Sequence, residues 1–170
     1  MPESQVVFTL GSSAVWIAED FYGVSLDAVR RLDARAVFLA GEEAERLKHL
    51  LPATMLAVDY APHSVVMPRA RVVVHQGGVG TTGQVLRAGR PMLVVPFGQD
   101  QPDNARRCLA LGVASTVDRR RYTPAVVARE LERLMSDPVY AANAQQVSDL
   151  VRSERGTETA CDAIEQVLGT

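Results

Sequence analysis

Along the chain, short apolar runs rich in β-branched residues alternate with longer stretches in which apolar residues return every three or four positions. These are the two periods that mark strands and helices. Val6–Leu10, Ala36–Ala40, Thr54–Val58, Arg71–His75, Pro91–Pro96 and Val113–Val117 predict strands. The turn Gly11-Ser12-Ser13 predicts a helix beginning near Ala14 to Trp16, and Glu42–Leu50 predicts another, stopped near Pro52. A third opens in the glycine-rich segment Gln76–Gly83, passes Leu86 and Ala88 and ends at Gly89, and Gln101–Leu111 is a fourth. After Thr123 the spacing is helical throughout: Val126, Val127, Leu131 and Leu134, then Val147, Leu150 and Val151, then Ala160, Ile164, Val167 and Leu168. Two or three closing helices follow from it, with Thr123-Pro124 as cap and first turn. Strands that alternate with helices, without an internal repeat or low-complexity linker, predict an α/β fold: a parallel sheet with helices on both faces.

Composition narrows the class. The 170 residues amount to a single domain, 1–170, with strands and helices to about residue 122 and helices over 123–168. A chain that is 47% hydrophobic and 22% charged is globular, which excludes a disordered or fibrous protein. Eighteen Lys and Arg against 20 Asp and Glu leave a charge of −2, so no electrostatic footprint for nucleic acid or an acidic membrane is present. No transmembrane segment is expected, because no apolar stretch approaches the roughly 20 residues that one needs. Cys108 and Cys161 have no Cys-x-x-Cys partner, which reads as two structural thiols in a reducing, cytoplasmic compartment. Arg119-Arg120-Arg121 reads as a solvated basic surface, and Trp16 as core or domain-facing surface.

The candidate chemistry is concentrated in His75-Gln76-Gly77-Gly78-Val79-Gly80-Thr81-Thr82-Gly83, between a strand and a helix. Glycines let backbone approach a ligand closely, and free N–H groups at a helix start favour a phosphate or diphosphate. The alternative is a tight turn that needs glycine for backbone reasons alone. Gly78, Gly80 and Gly83 have the dinucleotide-binding spacing, and Asp100 follows about 20 residues later. A dehydrogenase places that motif after its first strand and the acid at the end of its second. Here three strands precede it and Asp100 lies in the polar loop Pro96–Pro102, so the dehydrogenase reading is the weakest.

Taken together, Tyr60-Ala61-Pro62-His63, Val65 to Arg69, Val73 to Thr82, Ala88 to Pro96 and Asp100 to Ala105 resemble the donor-binding half of nucleotide-sugar glycosyltransferases with two Rossmann-like domains (GT-B). The likeness is to the UDP-glucuronosyltransferase-like, sterol and macrolide glycosyltransferase branch, and it runs over nearly the whole chain. It implies a Rossmann-like sheet as one half of that architecture. It also implies binding of a nucleoside-diphosphate sugar, a UDP-sugar first and a dTDP-sugar next.

The resemblance assigns roles residue by residue. Tyr60 stacks on the base, where many relatives have Trp; Ala61 offers backbone groups to the base edge, and His63 stands where Gln is common. Gln84 falls at the ribose position, in place of a frequent Glu. Gly11, Ser12, Ser13, His75, Gln76, Gly77, Gly78, Gly80, Thr81 and Thr82 surround the diphosphate. Relatives carry a histidine directly before the Gly-Gly pair; here Gln76 is there and His75 lies one residue earlier, so His75 is equally readable as a buried support. Asp100 and Gln101 match the Asp-Gln pair that holds the donor sugar, a site that also reads as a helix start capped by Asp100 or Asp103. The expected partners are an N-terminal acceptor domain, absent from this chain, that carries the catalytic base, and a small-molecule or lipid acceptor. No cofactor and no metal are expected, because helix-end dipoles and hydrogen bonds stabilise the leaving diphosphate. Two alternatives stay open: a non-catalytic nucleotide-sugar binding module, and the donor subunit of a split enzyme.

Overall fold

The computed structural model describes residues 5–11 and 20–169. Its centre is a six-stranded sheet of β1 (Gln5–Thr9), β2 (Arg35–Leu39), β3 (Met55–Val58), β4 (Val72–His75), β5 (Met92–Val94) and β6 (Ala114–Thr116). The order across the sheet is β3-β2-β1-β4-β5-β6, and every neighbouring pair is parallel. Each expected strand is present within a residue or two of its expected ends. The helices between them are α1 (Phe21–Arg31), α2 (Ala44–Lys48), α3 (His63–Val66), α4 (Val79–Ala88) and α5 (Gln101–Ala110), and the chain closes with α6 (Pro124–Ser136), α7 (Pro138–Ser153) and α8 (Gly156–Leu168). Ser12, Ser13, Ala14 and Trp16 lie outside the described residues, and the first described helix starts at Phe21.

Period-two alternation divides the strands between two cores. In the central rows, Val7 lies between Val37 and Val73, and all three face one core with Met92, Val85, Ala105 and Ala144. The next row, Phe8 between Phe38 and Val74, faces the other core with Phe21, Val29, Leu47, Val127 and Leu131. Phe8 and Phe38 stack at 4.9 Å between ring centres, and burying each such side chain contributes about 1.5–3 kcal/mol. Helices α1, α2 and α6 therefore cover one face of the sheet, and α4, α5 and α7 the other. Thr123 caps α6 through Val126 N–H at 3.4 Å, and Asp137 caps α7 through Val139 N–H at 3.0 Å. Helix α8 is different, because it buries no residue: Ile164, Val167 and Leu168 are all exposed.

The strand order sets where a ligand can enter. The chain leaves β1 toward β2 on one side and leaves β4 toward β5 on the other. The topology therefore switches between β1 and β4, and a crevice lies beyond the carboxyl ends of these strands. Gly11 follows β1, and Gln76-Gly77-Gly78 follows β4.

Candidate functional site

A cavity of about 480 Å³ occupies this crevice, lined by Gly11, His63, Gln76, Gly78, Val79, Gly80, Thr81 and Gln84. Helix α4 points its N-terminus into it. The cap residue Gly78 is extended (φ −61°, ψ 143°), and no side chain caps the helix. The first-turn amides of α4 are therefore turned toward the cavity with no side chain to satisfy them, an arrangement that suits an anion. Two buried polar atoms nearby, the acceptor Gln76 Oε1 and the hydroxyl Thr82 Oγ1, have no hydrogen-bond partner among the described residues. His63 is the only titratable side chain among these lining residues, and burial holds it below the usual histidine range. Among the described residues, the lining of this cradle is thus built from amides, hydroxyls and glycine backbone, without a lysine or arginine.

Gly11 and Gly77 are constrained in different ways. Gly11 lies under the Gln76 amide, and a Cβ there would come within 2.2 Å of Gln76 Nε2. Gly77 has φ +91°, and a Cβ on it would meet Val94 Cγ1 at 2.8 Å and the Gln101 carbonyl oxygen at 3.2 Å. Its peptide groups are held at both ends. Gly77 N–H donates to His75 Nδ1 at 3.0 Å, and the Gly77 carbonyl accepts from Asn104 Nδ2 at 2.8 Å.

His75 therefore corrects one expectation. Its side chain is fully buried, with Nδ1 bound to the Gly77 amide and Nε2 3.3 Å from Met92 Sδ. Burial, with a smaller contribution from His63, lowers its pKa to about 3, so the ring is neutral and carries its proton on Nε2. It supports the loop from behind and cannot touch a diphosphate. Strand alternation is the reason: Val73 and His75 point one way, and the turn begins before Gln76 completes the opposite row.

The remaining expected residues fall in three places. Gly11, His63, Gln76, Gly78, Gly80, Thr81 and Gln84 share the cavity wall, while Thr82 is buried one residue further along α4. Tyr60, 79% exposed, and the half-buried Ala61 lie in the loop between β3 and α3, outside that wall. Asp100 and Gln101 open α5. Asp100 is exposed and makes no capping bond, whereas Gln101 is buried, its Oε1 accepting from the Phe97 and Gly98 amides at 2.8 and 3.3 Å. Only the Gln101 amide nitrogen is left for a ligand. The capping expected of Asp100 or Asp103 is thus replaced by Gln101 reaching back to the preceding loop, and Asp103 pairs with Arg106 and Arg107. Val79, 73% exposed at the cavity wall, and Asn104 were not singled out by type or spacing.

A larger cavity, about 720 Å³, lies at the opposite edge of the sheet, where β4 and β5 begin. Three arginines line it, but Arg69, Arg71 and Arg90 each donate to a main-chain carbonyl, of Val65, Met135 and Pro68. The smaller cavity at the switch point is the better ligand site, because the uncapped N-terminus of α4 opens into it. Of the two thiols, Cys108 is buried, but Cys161 is exposed on α8 and is not the structural thiol that its spacing suggested. No helix among the described residues is long and apolar enough to cross a membrane.

Residues 23–165 match the family model described as Erythromycin biosynthesis protein CIII-like, C-terminal domain. The chain is 35% identical over 166 residues to O-mycaminosyltylonolide 6-deoxyallosyltransferase of Streptomyces fradiae, covering 96% of this chain and 38% of that protein. It is 36% identical over 123 residues to a sterol 3-beta-glucosyltransferase of Cryptococcus neoformans, covering 72% of this chain and 8% of that one. Among solved structures, the glycotransferase of kitacinnamycin matches with a TM-score of 0.86 at 30% identity, over 96% of this chain and 43% of that one. The glycosyltransferase VinC in complex with dTDP matches with a TM-score of 0.80 at 28% identity, over 95% and 41%. The chain spans less than half the length of each of these proteins. With its Rossmann-like sheet and its glycine-rich loop at the switch point, the chain belongs to the erythromycin biosynthesis protein CIII-like C-terminal domain family of glycosyltransferases.

Proposed function

We propose that this domain binds a nucleoside-diphosphate sugar, with uracil or thymine as base, and presents its anomeric carbon to an acceptor hydroxyl. The observation that carries the reading is the uncapped N-terminus of α4 at the switch point, beside the buried Thr82 hydroxyl, which has no partner among the described residues. The α4 amides, Thr81 and Thr82 take the diphosphate, and Gln84 takes the ribose. Tyr60 and Ala61 take the base, with His63 beside them, and Asp100 with the Gln101 amide takes the sugar. The dTDP held by VinC supports thymine beside uracil, which resemblance to the wider family ranks first.

In transfer, the acceptor oxygen forms a bond to the anomeric carbon as the bond from that carbon to the diphosphate breaks. The hydroxyl proton passes to a base on an acceptor-binding domain or subunit. Developing charge on the diphosphate meets the α4 dipole and neutral donors, so the reaction proceeds without a metal. The acceptor is a small or lipophilic alcohol, in keeping with the macrolide and sterol enzymes among the relatives. Two unpaired cysteines support a reducing, cytoplasmic location.

Calorimetric titration of the chain with UDP, dTDP, GDP, UDP-glucose, dTDP-glucose and NAD, with and without Mg²⁺, tests this. Binding of UDP or dTDP without Mg²⁺ is expected. It should weaken in Thr81→Ala, and in Tyr60→Ala by about 5- to 150-fold, the worth of one base stacked on an aromatic ring. Preference for NAD, or no nucleoside diphosphate bound, refutes the reading.

A further inference from the structure

Asn104 sits one turn into α5, where its backbone N–H donates to the Asp100 carbonyl at 3.0 Å. Its side chain makes two more bonds. Nδ2 donates to Asp100 Oδ2 at 2.7 Å and to the Gly77 carbonyl at 2.8 Å. Both partners can only accept, so the amide has one orientation that satisfies them, and both of its protons are used. A single side chain thus joins the loop after β4 to the carboxylate at the start of α5.

We propose that Asn104 is a positioning residue that fixes the Asp100 carboxylate relative to the phosphate-binding loop, and so determines how much the sugar adds to binding of the nucleotide. The proposal rests on the donor-domain reading above. Three features support it. Asp100 is exposed and makes no capping bond, so the Asn104 bond is what restricts its rotamers. That bond takes Oδ2, which leaves Oδ1 to face a sugar hydroxyl. The other anchor is rigid: Gly77 is held by His75 through its amide and packs against Val94 and the Gln101 backbone. The carboxylate is therefore aimed from the same peptide that leads into the Gly78 cap of α4. One end of the ligand, seated on α4, and the other, at Asp100, are referenced to a shared frame, which lowers the ordering cost of the second contact.

The test is a double-mutant cycle of Asn104→Ala and Asp100→Ala, with Asn104→Leu as a second variant that removes both donors, keeps similar bulk and adds no charge. Calorimetry with UDP and UDP-glucose, and with dTDP and dTDP-glucose, gives the ratio of the two dissociation constants within each pair. That ratio isolates the sugar's contribution. Asp100→Ala should lower it about tenfold, as for loss of one hydrogen bond to a charged group. Asn104→Ala and Asn104→Leu should each lower it at least threefold, over and above any change in the dissociation constant of the bare diphosphate. The double variant should be no worse than Asp100→Ala, because both act through one carboxylate. A merely structural role would weaken UDP and UDP-glucose in parallel and leave the ratio unchanged, which overturns the proposal. Additive losses, or a wild-type ratio of one, also overturn it. If the wild-type chain binds neither diphosphate, the donor-domain reading itself fails and the proposal with it.

Discussion

Replacing Gly77 by alanine tests the architecture of the loop. With φ at +91°, an L-residue there costs about 1–2 kcal/mol. The added Cβ meets Val94 Cγ1 at 2.8 Å and the Gln101 carbonyl oxygen at 3.2 Å, and neither retreats easily: Val94 is buried in β5, and the Gln101 oxygen is helix backbone. Overpacking of this kind costs about 1–3 kcal/mol. Together these give about 2–5 kcal/mol, which for a chain of this length lowers Tm by about 5–15 °C. Gly80→Ala is the control. It lies in the same loop-helix junction, but a Cβ there meets nothing within 4 Å, and alanine favours the helix by up to about 1 kcal/mol. Scanning calorimetry of the two variants should give opposite results: a large fall in Tm for Gly77→Ala and an unchanged or raised Tm for Gly80→Ala. A Gly77→Ala protein within 2 °C of the wild type, or equal shifts in both variants, would refute the argument that Gly77 is fixed by conformation and packing.

The buried His75 makes stability depend on pH. Its folded pKa, about 3, lies below the unfolded value near 6.5, so its contribution is intact above pH 6.5 and is lost progressively as pH falls toward 3. About 1 kcal/mol should be gone by pH 5.5, and His75→Asn, which keeps an acceptor for the Gly77 amide, should flatten denaturant midpoints between pH 7 and 5.5. Tyr22→Phe should cost about 1–2 kcal/mol in urea unfolding, because it removes the buried 2.9 Å bond to the Leu39 carbonyl. Thiol labelling under native conditions should modify Cys161 quickly and Cys108 only on unfolding, since Cys108 is buried and its thiol pKa is raised by that burial. Rapid modification of both would contradict the packing of α5.

Much of the scaffold was legible in the sequence because strands buried on both faces must be apolar at nearly every position. Val72-Val73-Val74 and Met92-Leu93-Val94 could hardly be anything else, and the parallel order followed from helices between strands. The glycine-rich loop was legible for the same reason, as an unusual composition at a strand-helix junction. What could not be read was direction and partnership. Residue type does not reveal that His75 turns inward or that Gln101 spends its carbonyl on the Phe97 and Gly98 amides. It does not reveal that Asn104 bridges two loops 27 residues apart at one of its contacts. Periodicity identified α8 from Ala160, Ile164, Val167 and Leu168, yet the helix buries none of its own residues among the described ones, because a period specifies a face and not its neighbour.

The lining of the switch-point cavity has a consequence for the ligand's departure as well as its arrival. With His63 neutral and no lysine or arginine among those residues, the attraction is between an anion and fixed dipoles at contact distance. Such forces decay within a turn of helix and are screened by added salt. Affinity should therefore fall modestly as ionic strength rises. On the proposed reading, a spent diphosphate leaves without breaking a salt bridge to any of those lining residues.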